Sequence, residues 1–164
     1  MLLHMGLDVG STTVKLVALN DKGEVLYATY QRHFSDMKKT VADILTTVSN
    51  KFPEVETTIS VTGSGGIAVA EFLNVPFIQE VVAGTAAIEA YLPETDVAIE
   101  LGGEDSKITY LRGSLEQRMN SICAGGTGAF IDQMASLLKT DAAGLNELAK
   151  EHTKIYPIAS RCGV

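Results

Sequence analysis

The chain has 164 residues, 46% of them hydrophobic, and a formal net charge of −7. That is enough apolar material for a sizeable core. The acidic balance, without basic clusters interleaved with aromatics, argues against a nucleic-acid partner.

In chain order, residues 3–9, 13–20 and 24–31 read as three strands. The turn signal Asn20-Asp21-Lys22-Gly23 separates the second from the third. Residues 37–50 read as a helix with Val41, Ile44, Leu45 and Val48 on one face. Thr57–Val61 is a short strand that runs into Thr62-Gly63-Ser64-Gly65-Gly66, and a helix over Ile67–Phe72 follows. Strand, Gly-rich turn and helix N-terminus form an arrangement that can bind anions. Residues 81–92 read as an Ala-rich helix, and Pro93-Glu94-Thr95-Asp96 breaks it. A lobe boundary is expected there, dividing the chain into 1–94 and 95–164. Strands near 96–101, 106–112 and 115–120 open the second lobe, with Leu111-Arg112-Gly113-Ser114 as a turn. A helix over 126–138, with Phe130, Ile131, Met134, Leu137 and Leu138 as its buried stripe, and a short helix over 144–152 complete the pattern. The apolar stretches are strand-length, so no membrane-spanning helix is expected. The N-terminus lacks the features of a secretory leader, which makes the cytoplasm the default location. The chain stops at Arg161-Cys162-Gly163-Val164 without a closing helix, so a fragment of a longer protein is expected.

One phrase occurs twice. Asp8-Val9-Gly10-Ser11-Thr12-Thr13-Val14-Lys15 and Glu100-Leu101-Gly102-Gly103-Glu104-Asp105-Ser106-Lys107 share an acid, a glycine two places on and a lysine seven places on, at one offset of 92. Each copy lies between two apolar strands and so has the form of a β-hairpin. Glycine lets the backbone turn tightly and approach a ligand, and successive turn N–H groups form anion nests. The hydroxyls of Ser11, Thr12 and Thr13 and the charges of Lys15 and Lys107 suit phosphate. Asp8 and Glu100 would repel phosphate directly; they make sense with Mg²⁺ in between. The duplication predicts two similar α/β lobes, with a nucleotide held by both turns. His4, His33 and His152 have no metal-ligand spacing and read as solvated or hydrogen-bonded structural residues.

The two cysteines, Cys123 and Cys162, are 39 positions apart. Cys123 precedes the helix that starts near Gly126, where first-turn N–H groups favour a thiolate. A four-thiolate cluster needs twice as many cysteines, which a symmetric dimer would supply. Tetrahedral zinc satisfies the same count. From spacing alone, cluster, zinc and inert thiols stay open.

The hairpins resemble the phosphate motifs of the actin, hexokinase and Hsp70 ATPase superfamily. The fuller resemblance is to the ATP-dependent activators of 2-hydroxyacyl-CoA dehydratases and the related benzoyl-CoA reductase ATPase subunits. It is carried by both hairpins, by Cys123-Ala124-Gly125-Gly126-Thr127-Gly128 and by Ser160-Arg161-Cys162. Tyr30-Gln31-Arg32-His33-Phe34-Ser35 looks most like activator modules of large fused proteins.

The resemblance implies a ribonuclease H-like fold of two duplicated βββα-type lobes, the second incomplete. It implies ATP or ADP with Mg²⁺ between the lobes, and a homodimer sharing one [4Fe-4S] cluster held by Cys123 and Cys162 of each subunit. The implied activity is ATP-driven one-electron transfer to an acyl-CoA dehydratase or reductase, with reduced ferredoxin or flavodoxin as donor. Asp8 and Glu100 would position Mg²⁺, and Glu104 or Asp105 would orient the attacking water. Gly10, Ser11, Thr12, Thr13, Lys15, Gly102, Gly103, Ser106, Lys107, Gly125, Gly126 and Thr127 would contact the nucleotide. Glu104 departs from the pattern, since many stand-alone activators have Gln there, and the superfamily's adenosine-binding segment lies beyond residue 164. Two alternatives are a small-molecule kinase of the same superfamily and a nucleotide-switched scaffold without catalysis.

Overall fold

A computed structural model describes residues 2–103, 105–119 and 127–156. The chain divides into two compact units, Met1–Pro93 and Glu94–Val164.

In the first unit, three consecutive strands form an antiparallel meander: β1 (Leu2–Val9), β2 (Thr13–Leu19) and β3 (Val25–Arg32). Helix α1 (Met37–Lys51) then carries the chain across, so that β4 (Glu56–Thr62) joins β1 in parallel. The sheet order is β3-β2-β1-β4. A parallel partner requires such a crossover, whereas antiparallel neighbours need only tight turns. Helices α2 (Gly66–Leu73) and α3 (Glu80–Tyr91) follow.

One face of this sheet is covered. Leu3, Leu7, Val9, Val14, Leu16 and Ala18 of β1 and β2 are buried with Val61 of β4. Val41, Ile44 and Val48 of α1 are buried in the same cluster, and Leu45 packs partly buried against it. The expected helix face is therefore the observed one. Each fully buried Leu or Ile contributes about 1.5–3 kcal/mol relative to exposure. The helix starts where Asp36 Oδ1 accepts the Lys39 N–H at 3.2 Å. Asp36→Ala is expected to cost about 1 kcal/mol, the usual effect of losing such a cap. A urea titration would check it; an unchanged midpoint would show the cap to be idle.

The second unit repeats the opening. Strands β5 (Val97–Leu101), β6 (Ser106–Tyr110) and β7 (Glu116–Met119) form an antiparallel sheet in that order. Helix α4 (Gly128–Leu137) and helix α5 (Ala142–Lys150) follow. The buried stripe expected for α4 is only partly realised. Ala135 is buried and Phe130, Ile131 and Met134 are half-buried, but Leu137 and Leu138 are exposed. Periodicity locates an apolar stripe but not what covers it, and among the described residues no layer covers the end of α4.

No described helix is long and apolar enough to cross a membrane.

Candidate functional site

The two hairpin turns are the same object in backbone terms. Between β1 and β2, the Gly10 N–H donates to the Thr13 carbonyl at 2.9 Å. Between β5 and β6, the Gly102 N–H donates to the Asp105 carbonyl at 2.8 Å. Donor and acceptor are each displaced by 92 positions, the offset of the sequence repeat. The strand registers repeat as well. Asp8 is opposite Lys15, and Glu100 is opposite Lys107. Register partners share a face of the sheet, so each turn has an acid and a lysine side by side behind it.

In the first turn this pair is formed: Lys15 Nζ donates to Asp8 Oδ2 at 2.9 Å, with both side chains about one-third exposed. Lys15 also lies over the Tyr30 ring, 5.5 Å from its centroid. A β-carbon added at Gly10 would sit 3.6 Å from Lys15 Nζ and 3.8 Å from Thr13 Oγ1. Glycine thus leaves open a small space bordered by an ammonium group and a hydroxyl, a donor set that fits a phosphate oxygen. Asp8, the lysine's partner, presents carboxylate oxygens, the kind of hard ligand that Mg²⁺ takes, usually through water.

The parallel pairing of β4 completes the first turn's surroundings. Thr62 is opposite Asp8, and the chain then turns at Gly63 with φ +96°. A β-carbon at Gly63 would lie 2.5 Å from Asp8 Oδ1 and 2.3 Å from the Val9 carbonyl oxygen. The Gly65 N–H donates to that same Val9 carbonyl at 2.8 Å. The Gly-rich segment 62–66 therefore packs directly against the acid. Thr62 Oγ1 is buried without a hydrogen-bond partner among the described residues.

In the second turn, Lys107 Nζ is 3.5 Å from Asp105 Oδ2. The start of α4 is bonded to this turn. The Gly128 N–H donates to the Gly102 carbonyl at 2.7 Å, and the Ala129 N–H to the Gly103 carbonyl at 2.8 Å. The Thr127 hydroxyl, fully buried, donates to the Gly103 carbonyl at 3.1 Å. Thr127 thus buttresses the turn. Ser106 is the first residue of β6.

Ser11 and Thr12 lie at the tip of the first turn. Glu104, Gly125, Gly126, Cys123 and Cys162 fall outside the described residues. Among the described residues, no group of three or more His, Cys, Asp or Glu side chains is placed to hold a metal ion. Sequence reasoning missed the contact of His33 with the first turn. Its only sequence signal was an isolated histidine directly after a strand.

Comparison with known proteins agrees with the hairpin evidence. Residues 5–164 match the profile of the BadF/BadG/BcrA/BcrD ATPase family. The chain is 28% identical to the (R)-2-hydroxyglutaryl-CoA dehydratase activating ATPase of Acidaminococcus fermentans, over 98% of this chain and 63% of that protein. It is 30% identical to the 2-hydroxyisocaproyl-CoA dehydratase activator of Clostridioides difficile, over 98% of this chain and 61% of that protein. The chain therefore spans somewhat under two thirds of these relatives' length. Among solved structures, the activator of the 2-hydroxyisocaproyl-CoA dehydratase from Clostridium difficile with bound ADPNP superposes with a TM-score of 0.80 at 27% identity, over 98% of this chain and 61% of that one. The fold is that of the actin-like ATPases.

Proposed function

The chain belongs to the BadF/BadG/BcrA/BcrD ATPase family, and from that premise we propose that it binds ATP with Mg²⁺ and drives one-electron transfer to an acyl-CoA dehydratase or reductase. The observation that carries this reading is the backbone repeat: two turns closed by the same hydrogen bond at one offset, each with an acid behind it and a lysine opposite. One such turn is a common hairpin; a duplicated one suits a ligand that carries several phosphates.

Each residue then has a task. The N–H groups of Ser11 and Thr12 and the hydroxyls of Ser11, Thr12 and Thr13 hold phosphate oxygens, as do the backbone and Ser106 at the second turn. Lys15 and Asp8 are paired now, and each has an alternative partner of its own chemistry: a phosphate oxygen for the ammonium, hydrated Mg²⁺ for the carboxylate. Glu100 takes the corresponding place in the second copy. Glu104 or Asp105 orients the water that attacks the terminal phosphorus. Phosphoryl transfer needs mainly positioning and charge neutralisation, which these groups supply. Bound nucleotide would supply the free energy of hydrolysis.

Cys123 and Cys162 of two subunits would hold a [4Fe-4S] cluster, which would carry the electron delivered by a reduced ferredoxin or flavodoxin. The link from the turn runs through bonds already described: Gly102 and Gly103 are tied to Thr127, Gly128 and Ala129, which follow Cys123 closely in sequence. A shift in the second turn is thus passed to the start of α4.

Gly10→Ala tests the nucleotide part. The added methyl meets nothing closer than 3.4 Å, an ordinary contact, so the thermal midpoint should stay within about 2 °C, the shift of a change under 1 kcal/mol. It fills the space beside Lys15, so Mg²⁺-dependent ADPNP affinity should fall on the order of a hundredfold by calorimetry. Unchanged affinity would refute the assignment of this turn to phosphate.

A further inference from the structure

His33 is one of the few buried polar residues in the first unit, with 9% of its surface exposed. It follows β3 and touches the first turn twice. Its backbone N–H donates to the Thr12 carbonyl at 3.2 Å. Its ring Nε2 lies 3.3 Å from the Gly10 carbonyl oxygen. The other ring nitrogen, Nδ1, lies 3.2 Å from the Ser35 backbone nitrogen.

These contacts fix the ring's proton. A backbone N–H can only donate, so Nδ1 accepts from Ser35. A carbonyl can only accept, so Nε2 carries the hydrogen and donates to Gly10. The ring is the neutral Nε2–H tautomer. The loop that delivers Ser35 is unusual: Phe34 and Ser35 have φ of 43° and 69°. Two successive non-glycine residues in the left-handed region cost roughly 1–2 kcal/mol each. The Phe34 side chain is 85% exposed, so its packing does not offset that cost. What the conformation achieves is the Ser35 N–H beneath the imidazole, together with an Asp36 N–H bond to the His33 carbonyl at 2.6 Å.

We infer that His33 is a positioning residue for the first turn, clamping the Gly10 and Thr12 carbonyls so that the Ser11 N–H is presented to a phosphate oxygen. The physical step is peptide planarity. In a trans peptide the C=O of one residue and the N–H of the next point in opposite directions. With the Gly10 carbonyl drawn towards His33, the Ser11 N–H faces away from the ring, out of the turn. The inference rests on the proposed nucleotide role of that turn, and it adds a residue that neither the repeat nor the duplicated motif includes. Met119 stands opposite Lys107 as Tyr30 stands opposite Lys15, so the position corresponding to His33 is 122, an isoleucine; the second copy has no imidazole there.

The test uses the whole chain with His33→Gln and His33→Asn. Glutamine's amide reaches the place of Nε2 and can donate to Gly10; asparagine's reaches only that of Nδ1. Magnesium-ADPNP affinity is expected to fall on the order of tenfold in His33→Asn, the effect of one lost hydrogen bond, and to stay within about twofold of the unaltered chain in His33→Gln. Two-bond ¹H–¹⁵N NMR of the unaltered chain should show the Nε2–H tautomer, and exchange of the Gly10 amide, whose bond to the Thr13 carbonyl closes the turn, should quicken in His33→Asn only. Equal affinity of all three chains, equal weakening by both substitutions, or an Nδ1–H tautomer would overturn the inference. If a chain that also carries the adenosine-binding segment binds no ADPNP, the nucleotide reading falls by itself. The Gly10 amide exchange rates then still decide whether His33 holds the turn.

Discussion

Gly63→Ala is expected to lower the thermal midpoint of the first unit by roughly 10 °C, corresponding to a destabilisation of about 3 kcal/mol. Two costs add. At φ +96° a β-carbon is strained against its own backbone, whatever space surrounds it. The space is also occupied: the methyl would lie 2.3 Å from the Val9 carbonyl oxygen and 2.5 Å from Asp8 Oδ1. Val9 cannot retreat cheaply, because β1 is paired on both sides, with β2 and with β4. Relaxation therefore has to push the Gly-rich segment or the Asp8 carboxylate away. The second response predicts a further effect, a weakened Asp8–Lys15 pair and poorer Mg²⁺-dependent nucleotide binding in whatever fraction stays folded. Differential scanning calorimetry measures the first effect. A midpoint within about 2 °C of the unaltered chain, less than 1 kcal/mol, would mean that the segment moves freely. The contrast with Gly10→Ala separates the two glycines: one makes room for backbone and acid, the other for a ligand.

Cys123→Ser or Cys162→Ser is expected to abolish bound iron in protein purified and reconstituted without oxygen. A full-length, dimeric preparation should hold about four irons and four sulfides per dimer, because a [4Fe-4S] centre takes four thiolates and each subunit offers two cysteines. Serine is close in volume but is a poor ligand for such a centre, so either substitution removes two ligands of four from the symmetric dimer. The first unit should be untouched, since its core lies wholly between Leu3 and Ala70. Iron and sulfide assays with a visible spectrum give the answer. Full iron content in either variant would sink the ligand assignment. Iron-free unaltered dimer would remove the redox reading, and zinc in its place would turn the cysteines into a structural site. Nucleotide binding would survive both of those results, because it rests on the hairpins.

What could be read from the amino acids follows from how local each signal is. The three opening strands lie close to their expected limits, because alternating apolar residues and the Asn20–Gly23 turn act over short distances. The hairpin repeat was legible because the acid, glycine and lysine hold one spacing in both copies. The packing of Gly63 on Asp8 was not legible: it depends on the register of β4 beside β1, a tertiary pairing that leaves no local trace. His33 was hidden for a related reason. A lone histidine after a strand looks the same whether it faces water or clamps a turn, and only the ring's contacts with Gly10 and Ser35 distinguish the two cases. Leu137 and Leu138 were assigned to a buried stripe by spacing alone, and spacing carries no information about the partner layer.

The order of joining in the first sheet has an entropic consequence. Only residues 10–12 separate β1 from β2, whereas bringing β4 to β1 closes a loop containing β2, β3 and α1. Loop-closure cost grows with the logarithm of length, and a helix inside the loop shortens its free part. The first turn, with His33, therefore belongs to the early and inexpensive part of the chain's ordering. Its acidic flank, where Gly63 closes on Asp8, belongs to the late and costly part. Loosening β4 alone would leave the turn closed but stripped of the wall that packs against the carboxylate.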